Sequence, residues 1–197
     1  MAINNFKILS RVVFVCTMSL AGLWNSAFAV VADNIPSSAM YSQLEAFHGH
    51  VCAGSIFGAR LGLAAKEALK TAGGTGKFSA QYYELSCPVD GIQVAAGTTY
   101  GNKALTVQER GEHRLVLAAE ENKLAVEAKL TKRAEELGLK SRDLRKMAKA
   151  LPANAPERSQ LEREVEEIHS WLKGAPTDEV VIVTAVNMKV KAISSAR

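Results

Sequence analysis

The sequence predicts an α+β fold, in which helices pack on a mostly antiparallel sheet. Three observations predict it. Two segments before residue 75 repeat apolar residues at helical spacing, and two segments between residues 113 and 130 alternate like the strands of a hairpin. A charged helical stretch then precedes a β-branched run, EVVIVTAVNMKV, at 179–190.

The first 29 residues have the pattern of a secretory signal peptide. Lys7 and Arg11 form a positive start, a charge-free apolar run follows at 12–24, and Ala27-Phe28-Ala29 has the small residues of a cleavage site. An uncleaved anchor is the alternative, but the apolar run is short for the roughly 20 residues of a membrane span. We therefore expect a periplasmic protein without stable membrane insertion after cleavage, whose single domain spans 30–197.

The charge balance excludes one class of partner. Lysine and arginine number 24 against 20 aspartate and glutamate, and Lys7 and Arg11 account for half of this excess. The mature chain is nearly neutral, so we expect no nucleic-acid binding. It retains two cysteines, Cys52 and Cys87, in a compartment where thiols can be oxidised.

Two helices are predicted at the start of the domain. The first begins at 36–38 and ends near Phe47, and the sequence HGHVCAG at 48–54 interrupts its pattern. The second helix covers 53–71. Three glycines lie one helical turn apart along it: Gly54, Gly58 and Gly62. Because glycine weakens a helix, we expect another backbone or a ligand to approach this face closely.

The middle of the chain predicts a strand at 81–86 and then a helix that Cys87-Pro88 begins and Gly97 ends, with proline at the first helical position. The hairpin follows at 113–117 and 124–130.

From 131 to 173 the chain is charged and helical, with breaks expected at Gly138 and around Pro152–Pro156. Its acids and bases are mixed, which favours a solvated helical face or a contact in a homodimer. The apolar residues expected to form that dimer contact are Leu161, Val165, Ile168 and Leu172. We expect His169, in the same charged stretch, to be exposed.

The densest group of potential metal ligands is His48, His50 and Cys52, to which Cys87 adds a second thiol. Zinc and similar metals bind imidazole nitrogen and thiolate sulfur, usually with four ligands. In extended backbone, H-x-H-x-C points all three side chains to one side. Both cysteines precede predicted helices, whose positive N-terminal ends favour thiolate.

Other interpretations of these residues stay open. Cys52 and Cys87 can form a structural disulfide, or Cys87 can simply cap its helix with Asp90 as a first-turn acid. The histidines can cap the preceding helix or face solvent.

A second polar group follows Cys87. Asp90 and Gln93 are three residues apart, so they share a helical face, and the loop after Gly97 supplies Thr98 and Thr99. These side chains are candidates for binding a small polar ligand, whereas an ordinary helix end and turn is the simpler interpretation. His113 is a candidate extra ligand or a half-exposed polar residue.

Two blocks of this sequence resemble the FmdE family, which is named for a component of formylmethanofuran dehydrogenase. The first block is FHGHVCAG at 47–54 followed by GARLG at 58–62, and the second is CPVDGIQ at 87–93 followed by GTTYGN at 97–102. The later part is similar in outline, so that the resemblance covers about 40–190.

The resemblance implies an α+β domain, often dimeric, with a His/Cys pocket that commonly holds zinc. It places the first block's polar residues at His48, His50 and Cys52, and the second block's at Cys87, Asp90 and Gln93. This chain has no cysteine after Cys87, so it lacks the C-terminal zinc finger of many members. Because it carries a signal peptide pattern, the family name is not taken as its reaction.

The leading hypothesis is a periplasmic metal-binding protein, with zinc held by the four His and Cys ligands. Asp90, Gln93 and Thr98 or Thr99 then orient the ligands or a bound cofactor. One alternative is a metal-dependent enzyme that uses Asp90 as general acid or base. Another is a carrier of a tetrapyrrole or metal cofactor, and a third is a structural disulfide between Cys52 and Cys87.

Overall fold

A five-stranded sheet and the helices packed on it form the part of the chain that the computed structural model describes, residues 34–186. The predicted signal peptide at 1–29 and the end of the predicted last strand lie outside the described residues. No helix between residues 34 and 186 combines the length and apolar character that crossing a membrane requires.

The elements follow the predicted order with two additions, a short strand β2 and a short helix α6. The helices are α1 (Ser38–His48), α2 (Ala53–Thr71), α3 (Pro88–Ala96), α4 (Lys132–Ala150), α5 (Pro156–Gly174) and α6 (Thr177–Val180). The strands are β1 (Phe78–Tyr83), β2 (Leu105–Val107), β3 (Glu112–Ala119), β4 (Ala125–Leu130) and β5 (Val181–Val186).

The sheet order is β2-β1-β3-β4-β5, and the β1–β2 pair is parallel while the other pairs are antiparallel. The α+β class and the mostly antiparallel sheet are therefore confirmed. In β3, Leu115 and Leu117 are buried while Val116 between them is partly exposed. This alternation turns one face of the sheet towards the apolar residues of α2.

Helices α2 and α3 approach each other closely because glycines lie where they cross. A Cβ atom at Gly58 would overlap the carbonyl oxygen of Pro88, and one at Gly91 would overlap that of Ser55. A Cβ at Gly62 would lie 3.1 Å from that of Ala95. The close approach predicted from the glycine spacing is confirmed, and it brings the first residues of the two helices side by side.

Helix α4 continues through Gly138, so the predicted break at that residue is wrong. A Cβ atom at Gly138 would overlap the ring of Phe57 from α2, which explains the glycine as a packing position. The predicted break around Pro152–Pro156 is confirmed, since α4 ends at Ala150 and α5 begins at Pro156.

Helix α5 packs its apolar residues into the core of this chain. Val165, Ile168 and Leu172 are buried, and Leu161 packs against them. These side chains are therefore not the exposed contact face that the sequence suggested, whereas the homodimer itself stays a prediction.

The expectation that His169 is exposed is wrong. The side chain is buried on the same face of α5 as Val165, one turn earlier, and its Nε2 lies 2.9 Å from Ser141 Oγ in α4. This polar contact joins the two helices.

Candidate metal centre

The link between α1 and α2 brings three potential ligands together. Gly49 has a left-handed backbone, with φ of 85°, and ends α1 directly after His48. Three residues later Cys52 adopts an extended backbone as the N-cap of α2. One ligand atom each from His48, His50 and Cys52 lies within 4.8 Å of the others. The sequence predicted this convergence from a fully extended segment, whereas a helix end and a helix start produce it.

His48 is held by Asp90 from the first turn of α3. Its Nδ1 lies 2.7 Å from Asp90 Oδ2, and this hydrogen bond raises the pKa of the imidazole above its ordinary value. The Nε2 atom is buried and has no hydrogen-bond partner among the described residues. A buried imidazole nitrogen without a partner is costly unless it binds something that the protein itself does not supply.

Asp90 uses both carboxylate oxygens within the protein. While Oδ2 binds His48, Oδ1 accepts a hydrogen bond of 3.1 Å from Gln93 Nε2. The Gln93 Oε1 atom in turn accepts from the backbone N–H of Tyr100 at 2.9 Å. Asp90 is therefore placed to orient His48, and the geometry favours this role over that of a free general acid or base.

Cys52 and Ser55 form a reciprocal cap at the start of α2. The Ser55 backbone N–H donates to Cys52 Sγ at 3.5 Å, and the Cys52 backbone N–H donates to Ser55 Oγ at 2.9 Å. Burial works to raise the pKa of the Cys52 thiol, but the backbone and side chain of Ser55, together with Cys87 and His48, lower it overall. The site thus favours the thiolate, the form that binds metal.

Cys87 lies at the start of α3, on the other side of Gly54 from Cys52. A Cβ atom built on Gly54 would be 3.0 Å from Cys87 Cβ and 3.8 Å from Cys52 Sγ. Both cysteines are free thiols, and the Cys87 side chain is half-buried outside the group of three ligands. Burial and the neighbouring Cys52 raise the pKa of the Cys87 thiol. Cys52 is therefore the first of the two to ionise.

His50 is the exposed member of the group, with its ring centroid 4.7 Å from that of His48. Burial lowers the pKa of its imidazole, and the positive charges of His48, Arg145 and Lys149 lower it further. The neutral ring, which is the form that can bind a metal, is favoured.

The predicted ligand-binding threonines lie away from these three side chains. Thr99 Oγ1 accepts a hydrogen bond from the Asn102 backbone N–H at 3.2 Å, which closes the turn after α3. Thr98 is buried, and its hydroxyl has no partner among the described residues. Their loop is connected to the metal ligands through the Tyr100–Gln93–Asp90 hydrogen bonds.

The residues present fit a transition metal of the zinc type. Two imidazole nitrogens and one thiolate sulfur suit this class of metal, and a carboxylate that orients a histidine is a common companion of such ligands. Ligand atoms around tetrahedral zinc lie roughly 3.3–3.8 Å apart, given bonds of about 2.0–2.3 Å. The observed limit of 4.8 Å requires only small rotations of side chains to reach that spacing.

A cleft of about 840 Å³ opens beside the site, and Cys52 and Cys87 form part of its wall. His113 lines the same cleft, where its Nδ1 lies 2.8 Å from Tyr82 Oη and 3.3 Å from Glu84 Oε2. The opposite wall is a basic face of α4 that sequence analysis missed. The spacing of Arg142, Arg145, Lys146 and Lys149 was the available signal, because residues three and four apart share one helical face.

The comparisons with known proteins agree with this fold. The family model described as "FmdE, Molybdenum formylmethanofuran dehydrogenase operon" matches residues 47–182. The chain therefore belongs to the FmdE family, as its sequence blocks suggested. No curated protein matches it.

One solved structure shares the fold. It is the crystal structure of an FmdE-like protein of the tungsten formylmethanofuran dehydrogenase type from Syntrophus aciditrophicus. The two chains are 21% identical, with a TM-score of 0.53, and the match covers 81% of this chain and 78% of the other.

Proposed function

We propose that this FmdE-family chain is a periplasmic metal-binding protein that holds one transition metal ion, zinc. His48, His50 and Cys52 bind the ion, and Cys87 supplies the fourth ligand from the start of α3. Asp90 orients His48 and, through Gln93, connects it to the loop that contains Thr98 and Thr99.

One observation carries the proposal. His48 Nε2 is buried without a hydrogen-bond partner among the described residues, while Asp90 holds Nδ1. The unpartnered nitrogen belongs to the group in which His50 and Cys52 offer two further donors within 4.8 Å. A metal ion satisfies this atom in a way that no described side chain does.

The choice of zinc follows from the donor set. Two nitrogens and two sulfurs complete a tetrahedron that zinc accepts readily, whereas magnesium and calcium prefer oxygen ligands. The periplasmic location is supported by the signal peptide pattern at 1–29.

Metal content tests the proposal directly. We expect about one zinc ion per chain by elemental analysis of protein purified without chelator. Replacement by cobalt(II) should give a sulfur-to-metal charge-transfer band, which Cys52→Ala abolishes or strongly weakens and Cys87→Ala reduces. Ser86→Ala, an exposed position beside Cys87, is the matched control and should leave the band unchanged.

Two outcomes would contradict the proposal. The first is a wild-type protein that neither contains stoichiometric metal nor takes it up after reduction. The second is loss of both free thiols on thiol counting, reversed by reductant, in protein purified from the periplasm, which would establish a Cys52–Cys87 disulfide instead.

Metal-dependent catalysis is the second candidate function, and the open cleft beside the two cysteines favours it. A metal with a vacant position would polarise a substrate bound there. His113, hydrogen-bonded to Tyr82 and close to Glu84, would move a proton on the other side of the cleft. Azide added to the cobalt(II) protein should then shift its visible spectrum, and no shift would indicate a closed four-ligand site. A tetrapyrrole carrier, by contrast, would show the absorbance of its cofactor when purified.

A further inference from the structure

The cleft beside the metal centre is walled on one side by a single face of α4. Seven residues of that face repeat at intervals of three and four: Glu135, Gly138, Leu139, Arg142, Arg145, Lys146 and Lys149. The first half of the face is mainly apolar, and the second half carries four basic side chains. A small molecule in the cleft would therefore contact both kinds of surface.

Two of these basic side chains lack a counter-charge. Among residues 34–186, no carboxylate lies within ion-pair distance of Arg145 or Lys149, whereas Arg142 Nε lies 3.3 Å from Asp143 Oδ1. Like charges one helical turn apart, as these two are, destabilise a helix slightly. Both also act electrostatically on the ring of His50, so the uncompensated charge lies at the end of the cleft nearest the metal ligands.

The other charges in the cleft are largely neutralised. Arg114 pairs with Glu112 and Glu127, and Lys129 pairs with Glu127 as well. Glu84 lies 3.3 Å from His113. The free positive charge in the cleft is thus concentrated on α4.

Helix electrostatics explain only one of the two free bases. Basic residues in the last turn of a helix stabilise its dipole, and Lys149 lies in that turn. Arg145 lies a turn earlier and is partly buried, where the dipole effect has faded. Its placement requires another explanation.

The opposite wall of the cleft is apolar. Phe57, Pro88 and Leu130 are buried residues that line it, and the exposed side chain of Leu139 adds to this surface from α4. The cleft volume of about 840 Å³ is within the range of small-molecule sites.

We propose that this cleft binds a small organic carboxylate, whose apolar body packs against Phe57 and Leu139 and whose acidic groups pair with Arg145 and Lys149. The planar guanidinium of Arg145 accommodates a carboxylate through two parallel hydrogen bonds, and Lys149 adds a second charge. The site goes beyond the proposed metal binding and does not require the metal, since every contact comes from the chain itself.

Calorimetric titration with phthalate, an aromatic dicarboxylate, tests the proposal. We expect binding to both the metal-loaded and the chelator-treated protein, so that failure of the metal site and failure of this site are told apart. Dimethyl phthalate, which has the same body without charge, and inorganic phosphate, which has charge without a body, should each bind at least about tenfold more weakly.

The variant Arg145→Gln/Lys149→Gln should weaken phthalate binding by about tenfold or more. The matched control is Lys132→Gln/Lys140→Gln, which removes the same charge from exposed positions on the same helix outside the cleft. It should bind phthalate within about twofold of the wild type.

Four results would overturn the proposal. They are absence of phthalate binding by the wild type, equal binding by the Arg145/Lys149 variant, equal binding of the neutral ester, and equal binding of phosphate.

Discussion

His48 and Asp90 are 42 positions apart in the chain, yet His48 Nδ1 lies 2.7 Å from Asp90 Oδ2. This hydrogen bond joins the end of α1 to the first turn of α3. It directs the buried Nε2 of His48 towards His50 and Cys52, because the two ring nitrogens point to opposite sides of the imidazole. The orientation of one ligand therefore depends on a residue that binds no metal itself.

Asp90→Asn should weaken metal binding by about 10–100-fold, the usual cost of losing such a carboxylate. The amide keeps the size of the side chain but loses the negative charge that makes the imidazole a better ligand. Competition with a chromophoric chelator measures the change. Asp178→Asn, at an exposed position in α6, is the matched control, and equal affinities for the two variants would contradict the orienting role.

Gly58→Ala should lower the free energy of unfolding by about 1–3 kcal/mol, although alanine favours helix formation over glycine. The new methyl group would overlap the Pro88 carbonyl oxygen and force α2 away from α3. Urea denaturation measures the effect. Gly101→Ala, where no atom lies within 4 Å of the added Cβ, should change stability by less than about 0.5 kcal/mol. A stabilised Gly58→Ala variant would contradict this packing.

Gly138→Ala should also be destabilising, by about 1–3 kcal/mol, because its Cβ would overlap the ring of Phe57. The double variant Phe57→Leu/Gly138→Ala should recover part of the loss, since leucine leaves room for the methyl group. A double-mutant cycle with Phe57→Leu alone should give a favourable coupling of about 0.5 kcal/mol or more. Additive effects would show that the two residues do not compete for this space.

The buried imidazole of His169 should make the protein less stable as pH falls below 6.5. Burial lowers the pKa of His169 below its ordinary value of 6.5, and the nearby charges of Lys173 and Arg145 act in the same direction against that of Glu166. As pH falls through 6.5, the unfolded chain binds a proton that the folded chain does not bind. The free energy of unfolding therefore decreases.

Denaturation between pH 5 and pH 8 checks this prediction. His169→Gln should reduce the dependence on pH, whatever its effect on stability at neutral pH. Ser141→Ala is the control: it removes the 2.9 Å contact to the imidazole and costs about 1–3 kcal/mol, but it keeps the buried ring and hence the pH dependence. An unchanged slope in His169→Gln would show that other groups produce it.

Local patterns predicted the elements that surround the site. The α2 helix appears with the predicted bounds, and the glycine spacing correctly indicated a close backbone approach. The same kind of reasoning failed at Gly138, because a glycine that makes room for Phe57 has the same letter as one that ends a helix. It also failed at His169, whose i+4 relation to buried Val165 outweighs its polarity.

Long-range contacts were less accessible from the sequence. The spacing of His48, His50 and Cys52 predicted their convergence, but nothing local indicates that Asp90 binds the far nitrogen of His48. The three-residue strand β2 has too few residues for a detectable alternation, and its parallel pairing with β1 exists only in the assembled sheet. The basic face of α4 was visible as a spacing, yet its meaning depends on the cleft opposite.

The glycine contact between α2 and α3 has a consequence for how metal enters the protein. Because the two backbones hold Cys52 and Cys87 on either side of Gly54 by packing alone, the apo chain retains nearly the loaded shape. Binding then costs little ordering of the chain, unlike in zinc fingers, which fold only around their ion. Such a rigid, partly open centre can gain and release its ion without unfolding, which suits a protein that exchanges metal with its surroundings.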